Sequence, residues 1–249
     1  MVASSSSPAR APRLYCEEVL SPGATVRLSE RAVRHLAALR LKAGDPVTLF
    51  NGDGHESAAL LAELGKRGAS ATVKQRFAVD RESPLAVHLA QGVCAADRMD
   101  LVLQKATELG VHAIQPVTTV RSIVRLSPER RERRGAHWQN VVIAACEQCG
   151  RNRVPQVAAT TSFPQFIADL PEGGTRIVLA PDGDVRLREL AATAPIRVLI
   201  GPEGGLAPEE REIAAMAGFT AVRFGPRVLR TETAPLAALA ALQALFGDS

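Results

Sequence analysis

The sequence predicts an open α/β layer preceded by a small β-barrel. Two changes of rhythm carry this reading. Before residue 80, short extended runs are separated by glycine turns, the pattern of strands that share one small core. From Leu85 onward, apolar runs alternate with helical stretches, as they do when helices cover a parallel sheet. The charged stretch Asp80-Arg81-Glu82-Ser83-Pro84 separates the two and reads as a linker. The expected organisation is a flexible tail at 1–12, a barrel at 13–79 and the α/β domain at 85–249.

The elements follow in order. Ser4-Ser5-Ser6-Ser7, Pro8 and Pro12 have no apolar stretch behind them, so the start reads as a tail and not a secretory signal. Thr25–Leu28 is extended, and Val33, Leu36 and Leu39 recur at helical spacing. Gly44-Asp45 turns into the strand Pro46–Phe50, which ends in Asn51-Gly52-Asp53-Gly54. Strands Glu56–Leu64 and Ala71–Phe77 flank the turn Gly65-Lys66-Arg67-Gly68.

In the second part, Leu85, Val87 and Leu89 alternate as a strand, and Asp97–Leu109 is a helix with Gly110 as its left-handed cap. Val111–Val117 is a strand. Ser127 and Pro128 are an N-cap and a first-turn proline, opening a long helix to about Cys149. Ile177–Ala180 and Val198–Ile200 are short apolar strands of a buried parallel sheet. Pro208 opens a helix that stops at Gly218. Val222–Phe224 is the next strand, and Thr233–Phe246 is the last helix, capped by Thr233 and closed by Gly247.

Composition narrows the function classes. Of 249 residues, 46% are hydrophobic and 4% aromatic, so a real core exists and is built of Ala, Val, Leu and Ile. No apolar run approaches the roughly 20 residues that cross a bilayer, and a cytoplasmic location is expected. Net charge is +4, from 30 basic and 26 acidic residues, so placement matters more than the total. One basic group is Arg121, Arg125, Arg130, Arg131, Arg133 and Arg134, with Arg151 and Arg153 behind it; another is Arg27, Arg31, Arg34, Arg40 and Lys42. Such groups suit a phosphate backbone. A solvated helix face neutralised in part by Glu129 and Glu132 explains the first equally well. Cys16, Cys94, Cys146 and Cys149 should be reduced thiols. Cys146 and Cys149 have half a zinc site's spacing but no second pair, and no metal is expected.

Two loops follow predicted strands directly. Gly201-Pro202-Glu203-Gly204-Gly205 lets the backbone bend and approach a ligand, although it lacks the spacing of a phosphate cradle. As an isolated motif it reads first as an ordinary strand-to-helix turn, with Glu203 capping the turn that follows. Gly225-Pro226-Arg227-Val228-Leu229-Arg230-Thr231-Glu232-Thr233-Ala234 places two arginines and a glutamate before an almost purely apolar, Ala-rich helix. Arg230 paired structurally with Glu232 is its plain reading. Likewise Lys105 and Glu108 are at i,i+3 spacing, and Trp138 reads as core.

Together with Gln104-Lys105-Ala106-Thr107-Glu108-Leu109-Gly110, Glu147-Gln148-Cys149-Gly150-Arg151-Asn152-Arg153-Val154-Pro155 and the early segment from His35-Leu36 to Gly44-Asp45, these loops resemble the knotted SPOUT methyltransferases. More narrowly, they resemble the 16S ribosomal RNA uracil-N3 methyltransferase family, in order from Arg13 to Asp248. The resemblance implies a PUA-like barrel that binds RNA and a C-terminal domain with a deep trefoil knot. It implies S-adenosylmethionine as co-substrate, 16S ribosomal RNA of the small subunit as partner, and a homodimer that shares the site. Donor-binding residues would be Leu179, Leu199, Gly201, Pro202, Glu203, Gly204, Gly205, Val228, Leu229, Thr231 and Ala234. Loop position gives the developing charge to Arg230, or to Arg151 or Arg153 from the facing subunit, and orientation or base work to Glu232 or Glu203. RNA would meet Arg13, Arg34, Arg40, Lys105, Arg121, Arg125, Arg151 and Arg153. Two other readings stay open: ribose 2′-O-methylation by the same fold, and a non-catalytic RNA-binding assembly factor.

Overall fold

The computed structural model describes residues 11–65, 68–123 and 127–248. The Lys66-Arg67 turn and Arg125 lie outside the described residues. The chain divides into two compact units: residues up to Glu82 with Cys146–Val154, and Ser83–Ala145 with Pro155 onward.

The first unit holds β1 (Arg13–Tyr15), β2 (Thr25–Leu28), α1 (Glu30–Ala38), β3 (Pro46–Phe50), β4 (His55–Gly65) and β5 (Gly68–Ala78). The sheet runs β1-β3-β4-β5-β2, with β1 parallel to β3 and the other pairs antiparallel. Register shifts at Ala58/Ala59 and Leu61/Glu63 bend the long β4–β5 hairpin. Both edge strands reach one core, Leu14 from β1 and Val26 and Leu28 from β2, together with Leu36 of α1. The two edge strands of the sheet therefore share one core although no β1–β2 ladder joins them among the described residues. Ser29 caps α1, its Oγ accepting from the Ala32 N–H at 3.2 Å.

Residues 146–154 are tied into this unit, which the linear pattern did not signal. Glu147 accepts from the Tyr15 N–H and from both terminal nitrogens of Arg31. Asn152 accepts from Arg13 at 2.7 Å and donates to the Val79 carbonyl. Arg151 pairs with Glu82.

The second unit contains β6 (Val87–Gly92), α2 (Ala96–Glu108), β7 (Ala113–Thr118), the body of α3 (Pro128–Cys149), β8 (Gln156–Val157), β9 (Thr161–Ser162), α4 (Phe163–Ala168) and β10 (Thr175–Leu179). Then come β11 (Val185–Arg186), β12 (Ile196–Ile200), α5 (Pro208–Met216), β13 (Thr220–Arg223) and α6 (Thr233–Phe246). The all-parallel sheet runs β11-β13-β10-β12-β6-β7-β8, with β9 also on β7. Central β12 is buried along its whole length, as a parallel strand covered on both faces must be. Helix α6 buries Ala238, Leu239 and Leu242. Its buried Gln243 donates to the Leu109 carbonyl, which α2 leaves without a helical partner, and accepts from the Ser83 hydroxyl. Gly110 takes φ +79° after α2, as its capping role requires.

One boundary detail is corrected. Thr233 does not cap α6: Glu232 occupies the N-cap position without a side-chain bond. The N–H groups of Thr233 and Ala234 both go to the Arg230 carbonyl at 2.9 Å, because the chain is already turning helically at that point. Among the described residues no helix is long and apolar enough to cross a membrane.

Candidate active site

Strands β10, β12 and β6 are neighbours and parallel, so their carboxyl ends emerge on one side of the sheet, where open α/β sheets bind ligands. A cavity of about 430 Å³ opens there. Its walls are Val178–Pro181 from the end of β10, residues 200–203 with Gly205 and Leu206 from the end of β12, and Val228–Thr231 before α6, with Ala234, Arg98, Arg121 and Arg211. A Cβ on Gly92 would stand 2.5 Å from the Pro202 nitrogen, and one on Gly201 2.9 Å from the Gly205 carbonyl carbon. Glycine is required where these backbones touch.

Hydrogen bonds hold the loops in register. The Thr231 hydroxyl donates to the Gly201 carbonyl at 2.7 Å and accepts from the buried Gln91 amide at 3.0 Å. Glu203 Oε1 accepts from the Ala95 N–H at 2.9 Å and from Arg98 at 3.3 Å. Glu203 thus anchors the start of α2 instead of capping its own turn, which Gly205 closes onto Pro202. Arg98 also faces Glu232 at 3.9 Å, so one cation stands between two carboxylates. Each carboxylate keeps a buried Oε2 with no hydrogen-bond partner. The neighbouring Cys94 thiol is pushed up to about 12, first by burial and then by the charges of Glu203 and Glu232. On the opposite side Arg211 grips both oxygens of Asp182 at 2.7 Å, and this hydrogen bonding holds the Asp182 carboxyl below its ordinary range.

A family model described as an RNA methyltransferase domain matches residues 81–243, and one described as an RNA methyltransferase PUA domain matches residues 28–74. Ribosomal RNA small subunit methyltransferase E of Buchnera aphidicola subsp. Schizaphis graminum is 32% identical over 241 residues, covering 96% of this chain and 98% of that protein. The chain belongs to the ribosomal RNA small subunit methyltransferase E family. Solved structures agree with that membership. The same-named protein of Neisseria gonorrhoeae, bound to S-adenosyl methionine, superposes with a TM-score of 0.92 at 44% identity, covering 96% of this chain and 99% of that one. A Legionella pneumophila structure in complex with SAM gives 0.93 at 38% identity, covering 97% and 100%.

In this family member, most of the expected donor residues meet. Leu179, Gly201, Pro202, Glu203, Gly205, Val228, Leu229, Thr231 and Ala234 line the cavity, as does Arg230. Two do not. Leu199 is fully buried and points into the core with Ala90, Phe163 and Val178, because alternate residues of β12 face opposite sides. Gly204 lies outside the lining, its carbonyl accepting from Arg121 at 3.0 Å. Glu232 also stands behind the lining, reached through Arg98. The expectations missed Arg98 and Arg211. Arg98 had a usable signal: it sits one turn into the helix that follows β6, where side chains reach a strand-end crevice.

The expected RNA residues separate by exposure. Arg34, Arg40 and Arg153 are exposed in the first unit, and Arg121 in the second. Lys105 pairs with Glu108 at 2.9 Å. Arg13 and Arg151 are corrected. The Arg13 side chain is 15% exposed and bonded to Glu56 at 2.5 Å, and the Arg151 side chain is 7% exposed against Glu82. Their guanidinium groups serve internal ion pairs and offer little surface to a phosphate or a base. Among the described residues no group of three His, Cys, Asp or Glu side chains is placed to hold a metal ion.

Proposed function

We propose that this protein transfers the methyl group of S-adenosylmethionine to N3 of a uridine in 16S ribosomal RNA of the small subunit. The observation that carries the reading is the Thr231–Gly201 hydrogen bond, which brings two loops 30 positions apart onto one cavity. A cavity of about 430 Å³ is within the range that encloses a small-molecule cofactor. Its glycine backbone suits close main-chain contact, and the unpartnered Oε2 of Glu203 is an acceptor for a cationic ligand. Gly201, Pro202, Gly205, Leu179, Val228 and Leu229 would hold the donor, which supplies an activated methyl group on a sulfonium.

The uracil N3 carries a proton at neutral pH and becomes nucleophilic only as that proton leaves. The charge then spreads onto the flanking carbonyl oxygens. Arg230 suits its stabilisation: it lines the cavity, its side chain is 77% exposed, and Glu232 holds it only at 3.9 Å. Glu203 fixes Arg98, and Arg98 in turn faces Glu232, so a carboxylate stands close behind the reacting centre to take the proton directly or through water. Cys94, kept protonated at neutral pH, is unsuited to attack a pyrimidine ring, which favours nitrogen methylation without a covalent enzyme adduct.

The proposal includes the deep trefoil knot, supported by the β10-β12-β6 order and by the pre-α6 loop bonded to Gly201. It includes a homodimer. An apolar recess of about 730 Å³ beside Phe224, Pro226, Ala241 and Leu245 offers a second copy a place to pack. It includes a cytoplasmic location, which four unpaired cysteines support. Calorimetric titration with S-adenosylmethionine tests the donor site, and absence of heat at saturation would favour a non-catalytic binder. Mass analysis of ribosomal RNA from a deletion strain tests the product. Persistence of the base-methylated uridine, with loss of a ribose-methylated nucleotide, would replace this reading with 2′-O-methylation.

A further inference from the structure

Glu210, in the first turn of α5, is 5% exposed and has both carboxylate oxygens occupied. Oε2 accepts from the Ala207 N–H at 2.9 Å, an ordinary helix-start bond. Oε1 leaves the helix and accepts from the Val120 N–H at 2.8 Å, 90 positions away. Val120 belongs to a tight turn in which the Thr119 N–H bonds to the Ser122 hydroxyl and the Ser122 N–H to the Thr119 carbonyl. The next residue of that turn, Arg121, lies on the cavity wall and donates to the Gly204 carbonyl.

The arginines of the cavity differ in their partners. Arg98 faces Glu203 and Glu232, Arg211 grips Asp182, and Arg230 approaches Glu232. Among the described residues no carboxylate pairs with Arg121, so its charge is compensated only by a carbonyl dipole and stands exposed at the rim. A guanidinium so placed matches a phosphate oxygen in charge and donor geometry.

We propose that Glu210 is a positioning residue for RNA capture: by stapling the 119–122 turn to α5 it holds Arg121 at the cavity rim, where Arg121 binds a phosphate of the RNA strand that delivers its base. The inference rests on the RNA methyltransferase reading above. A buried carboxylate that accepts from two backbone N–H groups fixes both segments more firmly than neutral hydrogen bonds would.

The test is a double-mutant cycle in a methyl-transfer assay with small-subunit ribosomal RNA transcribed in vitro. Arg121→Ala is expected to raise KM for RNA about tenfold, to lower the salt slope of RNA binding by about one contact, and to change the S-adenosylmethionine dissociation constant by less than it changes that KM. Glu210→Gln, which loses one acceptor, is expected to raise the same KM several-fold, and to add little in the Arg121→Ala background. Val120→Pro removes the N–H that Glu210 receives while also fixing φ at 120 and restricting Thr119, and it should raise the same KM at least as much as Glu210→Gln if that variant folds poorly. Independent, additive losses, or a Glu210→Gln enzyme with a normal KM, would overturn the positioning role. Wild-type protein that methylates neither this transcript nor small ribosomal subunits from a deletion strain would overturn the enzymatic reading as well.

Discussion

The Thr231 hydroxyl reaches the Gly201 carbonyl at 2.7 Å while receiving the amide of Gln91, so one side chain joins the loop before α6, the loop after β12 and strand β6. Thr231 is buried, and the Gln91 amide it receives also donates to the Gly92 carbonyl at 3.1 Å, so loss of the hydroxyl falls mainly on the Gly201 carbonyl. Thr231→Val keeps the shape and removes the hydroxyl. A cost of about 1–3 kcal/mol in urea unfolding is expected, with S-adenosylmethionine binding weakened about tenfold in calorimetry, and Thr231→Ser should restore both. Unchanged ligand affinity would show that the two loops keep their register without this bond.

Arg230 lies at the other extreme. It is mostly exposed and only loosely held, so Arg230→Ala should leave stability within about 0.5 kcal/mol. Turnover should fall by about 10²–10³, the loss typical of removing one donor to a developing anion. Single-turnover kinetics with a thermal melt on the same sample would separate the two effects. A fully active, folded variant would remove Arg230 from the chemistry.

Burial together with two nearby carboxylates keeps Cys94 a thiol to about pH 12. Between pH 6 and 9, alkylating reagents should leave Cys94 unmodified by peptide mass analysis, and Cys94→Ala should retain turnover within about twofold. Loss of activity on alkylation mapped to Cys94 would reopen a covalent mechanism.

Glu56, 2% exposed, sets an acid limit for the first unit. Burial alone would raise its carboxyl, but hydrogen bonds from Arg81 and Arg13 outweigh burial and hold it below the ordinary 4.5. The unfolded chain then takes up the proton first. Stability is complete above about pH 4.5 and is lost as pH falls through the lower native value. Denaturant unfolding between pH 3 and 7 should show this decline, and Glu56→Gln should flatten it while costing on the order of 3 kcal/mol at pH 7.

Much of the architecture was legible along the chain because local chemistry marks it. Helix α3 opens at Pro128 behind Ser127, and α6 ends at Phe246 before Gly247, both where capping residues predict. The two-residue strands β8, β9 and β11 were not legible, since so short a run has no periodicity. Helix α4 could have been read: Ser162 caps it and a proline stands in its first turn.

The sequence by itself determined the order of the longer elements, two glycine-bearing loops as candidates for the donor site, and the resemblance that linked them to an RNA methyltransferase family. Only the tertiary structure decided what each charged side chain faces. Arg98 entered the site because the end of β6 lies beside Glu203. Arg13 left the expected RNA-facing set because the barrel sheet sets β1 and β4 so that it meets Glu56, and Arg151 left it because residues 146–154 return to the first unit, where it meets Glu82. The reason is physical: backbone elements follow from periodicity and caps within a few residues, whereas the partner of a charge is set by segments tens of residues away that only packing brings within hydrogen-bond reach.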